Sequence, residues 1–273
     1  MDDIARHEEA ETALVAGAEL LNGLALWVQE QFESLQPIEA QGPVNQLIGR
    51  IAVYAVRQAQ ALAVLAVSGR GLMTEQAGQL LRGLIELWKV AAWLTEPTNE
   101  TGRTARAVGL VKGGIAQARE KLEYQRDFVV DAPAVRWEEL EDQEARIAGQ
   151  EAALAGGEAP ALPSTRTVCE SFGHFERYAY FRWESDPAHA SAVALGRMVA
   201  SQTAEHTHLG GPACPERRAS QLIASIETMM DIVRIVSVTL GFDLENLEDL
   251  VAGTYERMRE HLAPLITSSP TSG

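Results

Sequence analysis

The sequence predicts an all-α protein, a bundle of eight or nine helices with an acidic helical arm. Three observations lead there. Apolar residues recur at three- and four-residue spacing along extended alanine- and leucine-rich stretches. Aromatics make up only 6% of the chain, and no run shows the alternation of a half-buried strand. Proline and glycine clusters punctuate the periodic stretches at intervals suited to helices. With 273 residues and 46% hydrophobic content the chain can bury a large core. It reads as a single helical domain over 1–273.

The first helix is expected over 4–35, with Leu14, Ala18, Leu21, Leu24, Leu26 and Val28 on or near one face. Gln36-Pro37 ends it. A second helix is expected over 43–67, with Pro43 in the first helical position, where a missing N–H costs nothing. Ser68-Gly69-Arg70-Gly71 stops it. Thr74 is expected to cap a third helix over 75–95. That helix is apolar nearly all round, from Leu80 to Leu94, and should be central to the fold.

A fourth helix, about 100–127, is weakened by Gly109, Gly113 and Gly114. A fifth, about 134–153, forms the acidic arm (about 131–155), and 155–164 reads as a linker. Helix resumes over 165–183. Asp186-Pro187 should start another over 187–203, followed by an irregular loop at 205–216. The helix over 217–240 is strongly apolar, with Gly241 as its C-cap. Residues 243–264 close the bundle, and 266–273 form a polar tail expected to be disordered.

The net charge of −15 opposes attraction to nucleic acid and anionic membrane. The apolar runs 51–67 and 80–94 both carry charged or amide side chains, and neither reads as membrane-spanning. The N-terminus carries no secretory pattern, and two cysteines make no disulfide framework. A cytoplasmic setting is expected, with a homo-oligomer or a protein partner. DNA and membrane are not expected as partners. RNA stays open, because residues 51–130 are locally basic.

The densest polar segment is Tyr180-Phe181-Arg182-Trp183-Glu184-Ser185-Asp186-Pro187-Ala188-His189-Ala190-Ser191. Two readings of it stand side by side. In one, Arg182 and free N–H groups at a helix start near His189 hold an anion. In the other, Arg182 pairs with Glu184 or Asp186, and His189 is a hydrogen-bonding core histidine. Arg82 and Glu86 sit four apart on the most apolar helix and should form an ion pair that satisfies itself or a neighbouring helix end, or else anchor one wall of a polar pocket. Ser185, Asp186 and His189 lack the strand–turn–helix elbow of a serine hydrolase. His206, His208 and Cys214 are weak metal candidates, with Cys169 or His174 as a further ligand, and their spacing matches no standard zinc pattern. Glu170 and His174 lack the second Glu-x-x-His of a dinuclear site. No phosphate-binding glycine loop follows a strand, and no cofactor is expected.

The segments LLRGLIELWKVAAWL (80–94) and YFRWESDPAHAS (180–191) together resemble an uncharacterised group of bacterial helical proteins. Those carry an Arg-x-x-x-Glu helix and a later Tyr…Ser-x-x-x-His-x-Ser segment. The resemblance implies an all-helical fold and a shared cluster of Arg82, Glu86, Tyr180, Ser185, His189 and Ser191. The interval from Arg182 to His189 also resembles the motif of HEPN domains, though Pro187 stands inside it. That resemblance implies a dimeric bundle cleaving RNA without metal in a stress or defence role. His189 would be the catalytic acid or base and Arg182 the catalytic phosphate contact. Two functions are therefore carried forward, a helical interaction or scaffold protein and a HEPN-like ribonuclease. Binding of a small anionic ligand lies between them.

Overall fold

The computed structural model describes residues 2–33, 42–67, 71–128, 159–184, 199–202, 207–209, 215–242 and 244–267, with isolated positions between 138 and 149. It is an all-α multi-helix bundle. Helices are α1 (Asp2–Glu33), α2 (Pro43–Ala66), α3 (Gly71–Thr95), α4 (Glu100–Phe128), α5 (Thr165–Ser171) and α6 (Phe175–Trp183). A small ladder, β1 (Val199–Gln202) and β2 (Thr207–Leu209), precedes α7 (Pro215–Leu240), α8 (Leu244–His261) and α9 (Ala263–Thr267). The described residues fall into two compact units, 1–92 with 164–273, and 93–163.

In the larger unit α1, α2 and α7 pack against one another. Each brings an apolar stripe: Leu14, Leu21 and Leu24 from α1, Ile48, Ala55 and Leu62 from α2, Leu222, Ile226 and Val233 from α7. All nine are buried at 0% exposure, which is where the helical spacing puts them. By length and composition Glu8–Glu33 is apolar enough to cross a membrane, yet one face of it lies in this core. Arg218 ties the three together. Its guanidinium takes the Glu11 carboxylate with two bonds of 2.6 and 3.0 Å, and its Nε donates to the Ala66 carbonyl at 2.6 Å, capping the end of α2. The far end of the chain closes on the first helix. A Cβ on Gly17 would fall 2.8 Å from Leu262 Cδ1, so glycine there lets the residue between α8 and α9 nest against α1.

Pro43 opens α2 as expected, with Gly42 as N-cap. Gly241 ends α7 at φ +76°, and the Gly241 and Phe242 N–H groups both reach the Ser237 carbonyl. Phe242 then sets its ring edge-to-face on Trp27 and Phe32.

Three expectations are corrected. Thr74 is not a cap, because α3 already begins at Gly71. The helix over 165–183 is two helices, since the chain turns at Gly173, φ +74°, a left-handed conformation that glycine adopts without strain. Ser164 caps the first of them by accepting the Thr167 N–H at 3.2 Å. The helix over 187–203 fails at its end, where 199–202 pair antiparallel with 207–209 inside the expected loop. Residues 185–198 lie outside the described residues.

In the smaller unit, Asn99 Oδ1 caps α4 by accepting the Gly102 N–H at 2.7 Å. Arg106 lies 5.0 Å over the Trp93 ring and bonds the Trp93 carbonyl and Glu96. Of the glycines expected to weaken α4, one is required. A Cβ on Gly109 would fall 2.1 Å from the Pro160 carbonyl oxygen, whereas Gly113 and Gly114 meet nothing within 4 Å. Within the acidic arm, Glu138, Glu141, Asp142, Glu144, Ala145, Ala148 and Gly149 are helical, and the positions between them lie outside the described residues. The same holds for 268–273 of the tail.

Candidate functional site

Of the residues expected to form one site, Arg82, Glu86, Tyr180 and Arg182 are among the described residues, and they divide among several contacts. Glu86 turns to Thr165 and Lys89 rather than to Arg82. It accepts the Thr165 hydroxyl at 2.9 Å and pairs with the Lys89 ammonium, which also reaches Thr165 Oγ1 at 3.4 Å. This triad clasps α3 to the start of α5. Arg82, one turn earlier, places its guanidinium 4.9 Å over the Phe181 ring on α6. Of the arrangements expected for Arg82 and Glu86, pairing with each other gives way to separate contacts with neighbouring helices, Glu86 at the start of α5 and Arg82 on α6. Tyr180 is half-buried. Burial, with the Glu227 charge, raises its phenol above the ordinary value, and a Ser220 hydrogen bond opposes this. Arg182 is exposed in the last turn of α6, where its charge complements the helix dipole.

Ser185, Asp186, His189 and Ser191 lie outside the described residues, as do His206 and Cys214. His208 falls in β2. Among the described residues no group of three or more metal-type ligands comes together. Cys169 is buried, and burial pushes its thiol up to about 11, so at neutral pH it is held protonated.

Two polar clusters were not foreseen. The first is built on Glu184, at the C-terminal end of α6 and only 1% exposed. Its carboxylate accepts from Arg217 at 3.0 Å and from Gln221 at 3.1 Å, both on α7, and its carbonyl accepts from Gln79 on α3 at 2.7 Å. Arg217 also grips Glu75 of α3 with both terminal nitrogens. Burial lowers the guanidinium pKa, but the two carboxylates outweigh it and leave Arg217 above its ordinary value. Of the two partners expected for Arg182, Glu184 is thus taken by α7, and Asp186 lies outside the described residues. Gly78 was the available signal: a small residue facing out of an otherwise bulky helix marks a close approach.

The second cluster surrounds Trp88. Arg177, 5% exposed, stacks 4.5 Å over the indole and gives Nη2 to Asp231 at 2.5 Å and to the Glu227 carbonyl at 3.3 Å. Its Nε and Nη1 have no hydrogen-bond partner among the described residues. The His174 ring meets Trp88 edge-on at 5.2 Å, with Asp231 Oδ2 at 3.7 Å and Glu176 Oε1 at 3.3 Å. Beside this cluster α6, α7 and α8 leave a cleft of about 430 Å³, lined in part by Glu227, Asp231, Arg234 and Tyr255. Burial raises the Glu227 carboxyl, helped by Glu176 and Asp231 and opposed by Arg177.

Comparison with protein-family models, with characterised proteins and with solved structures gives no match to this chain.

Proposed function

We propose that this chain is a non-catalytic interaction protein of the cytoplasm. Its polar side chains lock helix packing, and its outward helix faces meet a partner or a second copy. The fate of Glu86 and Glu184 carries this reading. Glu86 lies on α3 and bonds Thr165 of α5 and Lys89 of its own helix, and Glu184, which caps α6, bonds Arg217 and Gln221 of α7. A working acid–base or phosphate site keeps such groups facing an open cleft. Groups satisfied between helices are what packing demands.

The test is incubation of metal-free protein with total RNA, wild type beside Arg182→Ala and His189→Ala. The interaction reading expects intact RNA in all three. Cleavage leaving 2′,3′-cyclic phosphate ends, and lost in a folded His189→Ala variant, would replace it with the HEPN-like ribonuclease reading.

A second reading, small-ligand binding, is favoured by the cleft beside Arg177. Its wall mixes guanidinium groups with carboxylates, which suits a ligand carrying both an acid and an ammonium group better than a simple anion. Thermal shift with free amino acids as probes tests it, a rise in Tm that disappears in Asp231→Asn supporting the site.

A further inference from the structure

The outward faces of α1 and α2 form one surface. Val15 and Leu26 on α1 are 44% and 45% exposed, and Val53, Tyr54 and Val64 on α2 are 39%, 57% and 68% exposed. On the exposed side Gln60 Nε2 donates to Gln29 Oε1 at 3.2 Å, stitching the two helices together. At 100° per residue, Val15 and Leu26 lie within about 60° of Gln29, and Val53 and Val64 within about 40° of Gln60. Leu26 and Val64, within about one turn of the bridge, therefore flank it, while Val53 and Val15 continue the same faces about 10 and 21 Å along the axes. Apolar groups gathered this way on a soluble helix pair mark a contact surface.

The charge pattern selects the occupant. Residues 8–33 contain no lysine or arginine, and the exposed side of α1 carries Glu8, Glu19, Glu30 and Glu33. Residues 43–66 contain no aspartate or glutamate, and the exposed side of α2 carries Arg50 and Arg57. An acidic stripe beside a basic one, with an apolar seam between them, is complementary to itself after a two-fold rotation. Each α1 would then face the partner's α2, with both acid–base matches made at once. An anionic membrane or a nucleic acid would meet the glutamates and the net charge of −15.

We propose that this face is the isologous interface of a homodimer, with Val64 and Leu26 in its apolar seam and Arg57 in its charged margin. This inference rests on the interaction reading and names its partner, a second copy of this chain.

Sedimentation equilibrium of the full chain tests it. The wild type is expected at twice the 29.6 kDa monomer mass. Leu26→Asp and Val64→Asp should each raise the dimer dissociation constant by about tenfold or more. Arg57→Glu should do so most strongly at low salt. These positions are exposed, so circular dichroism should show unchanged helix content. Val238→Asp, which alters an equally exposed apolar residue on α7, should leave the dimer intact. A wild type that is monomeric at about 100 µM overturns the proposal. So does a dimer indifferent to Leu26→Asp and Val64→Asp. Binding of the monomer to phosphatidylglycerol vesicles, lost in Val64→Asp, overturns it in favour of a lipid surface. Each of these results leaves the RNA experiment untouched, whereas His189-dependent RNA cleavage would sink the interaction reading without moving the dimer.

Discussion

A Cβ on residue 78 would fall 2.0 Å from Glu184 Oε2, so the carboxylate that ends α6 occupies the place of a side chain on α3. Gly78 is a packing residue, and the exchange fixes how closely the two helices approach. Gly78→Ala gains helix propensity of about 1 kcal/mol but must expel a buried, bonded carboxylate. The expected outcome is a net loss of about 2 kcal/mol in urea unfolding. In a Glu184→Ala background the same change should cost much less, because the group it strikes is gone, and a double-mutant cycle reads that coupling.

Arg217 bridges Glu75 and Glu184, which are 5% and 1% exposed. Removing the guanidinium leaves two carboxylates facing each other in the core. Arg217→Ala is therefore expected to lose about 3–5 kcal/mol, or to fail to fold at 37 °C. Arg217→Lys should recover only part, since one ammonium cannot replace a fork that bonds two acids. Chemical denaturation of both variants checks the order.

The glycines of α4 should respond with opposite signs. Gly113 is exposed and meets nothing, so Gly113→Ala is expected to stabilise by about 0.5–1 kcal/mol. Gly109→Ala drives a methyl into the Pro160 carbonyl and should destabilise. Thermal unfolding of the two variants side by side gives the contrast, and equal shifts would refute the close approach at Pro160.

Glu227 gives a pH dependence. Its folded-state carboxyl sits above the ordinary 4.5, burial being the main cause. The folded protein therefore binds more protons than the unfolded chain just above pH 4.5. The contribution to stability is present below that pH and is lost as pH rises through the folded value. Glu227→Gln removes the titration. Relative to wild type it should gain stability on going from pH 4 to pH 7, and a flat difference would overturn the assignment.

The helical framework was legible because it rests on local periodicity. The stripes of α1, α2 and α7 are each written within one segment, as are the proline that opens α2 and the glycine that closes α7. The short ladder was missed because three- and four-residue strands leave almost no pattern, and the helix expected from Asp186-Pro187 was extended over 199–202, which pair as a strand. The polar partners failed for a different reason. Spacing along the chain suggested Arg82 with Glu86, and Arg182 with Glu184 or Asp186. Glu86 instead takes Lys89 and Thr165, and Glu184 takes Arg217, 33 positions away. Which charges meet is decided by how helices cross, and a single sequence does not record that.

The contact of Gly17 with Leu262 sets a timetable for synthesis. The core face of α1 leaves the ribosome well before Leu222 and Leu262, which cover it and lie about 200 residues or more further along the chain. Until then Leu14, Leu21 and Leu24 have no native cover on that side, although α2 can dock early. The nascent chain must carry an open apolar stripe until those residues emerge, a natural substrate for holding chaperones. α1 is finished only after α8 has been made.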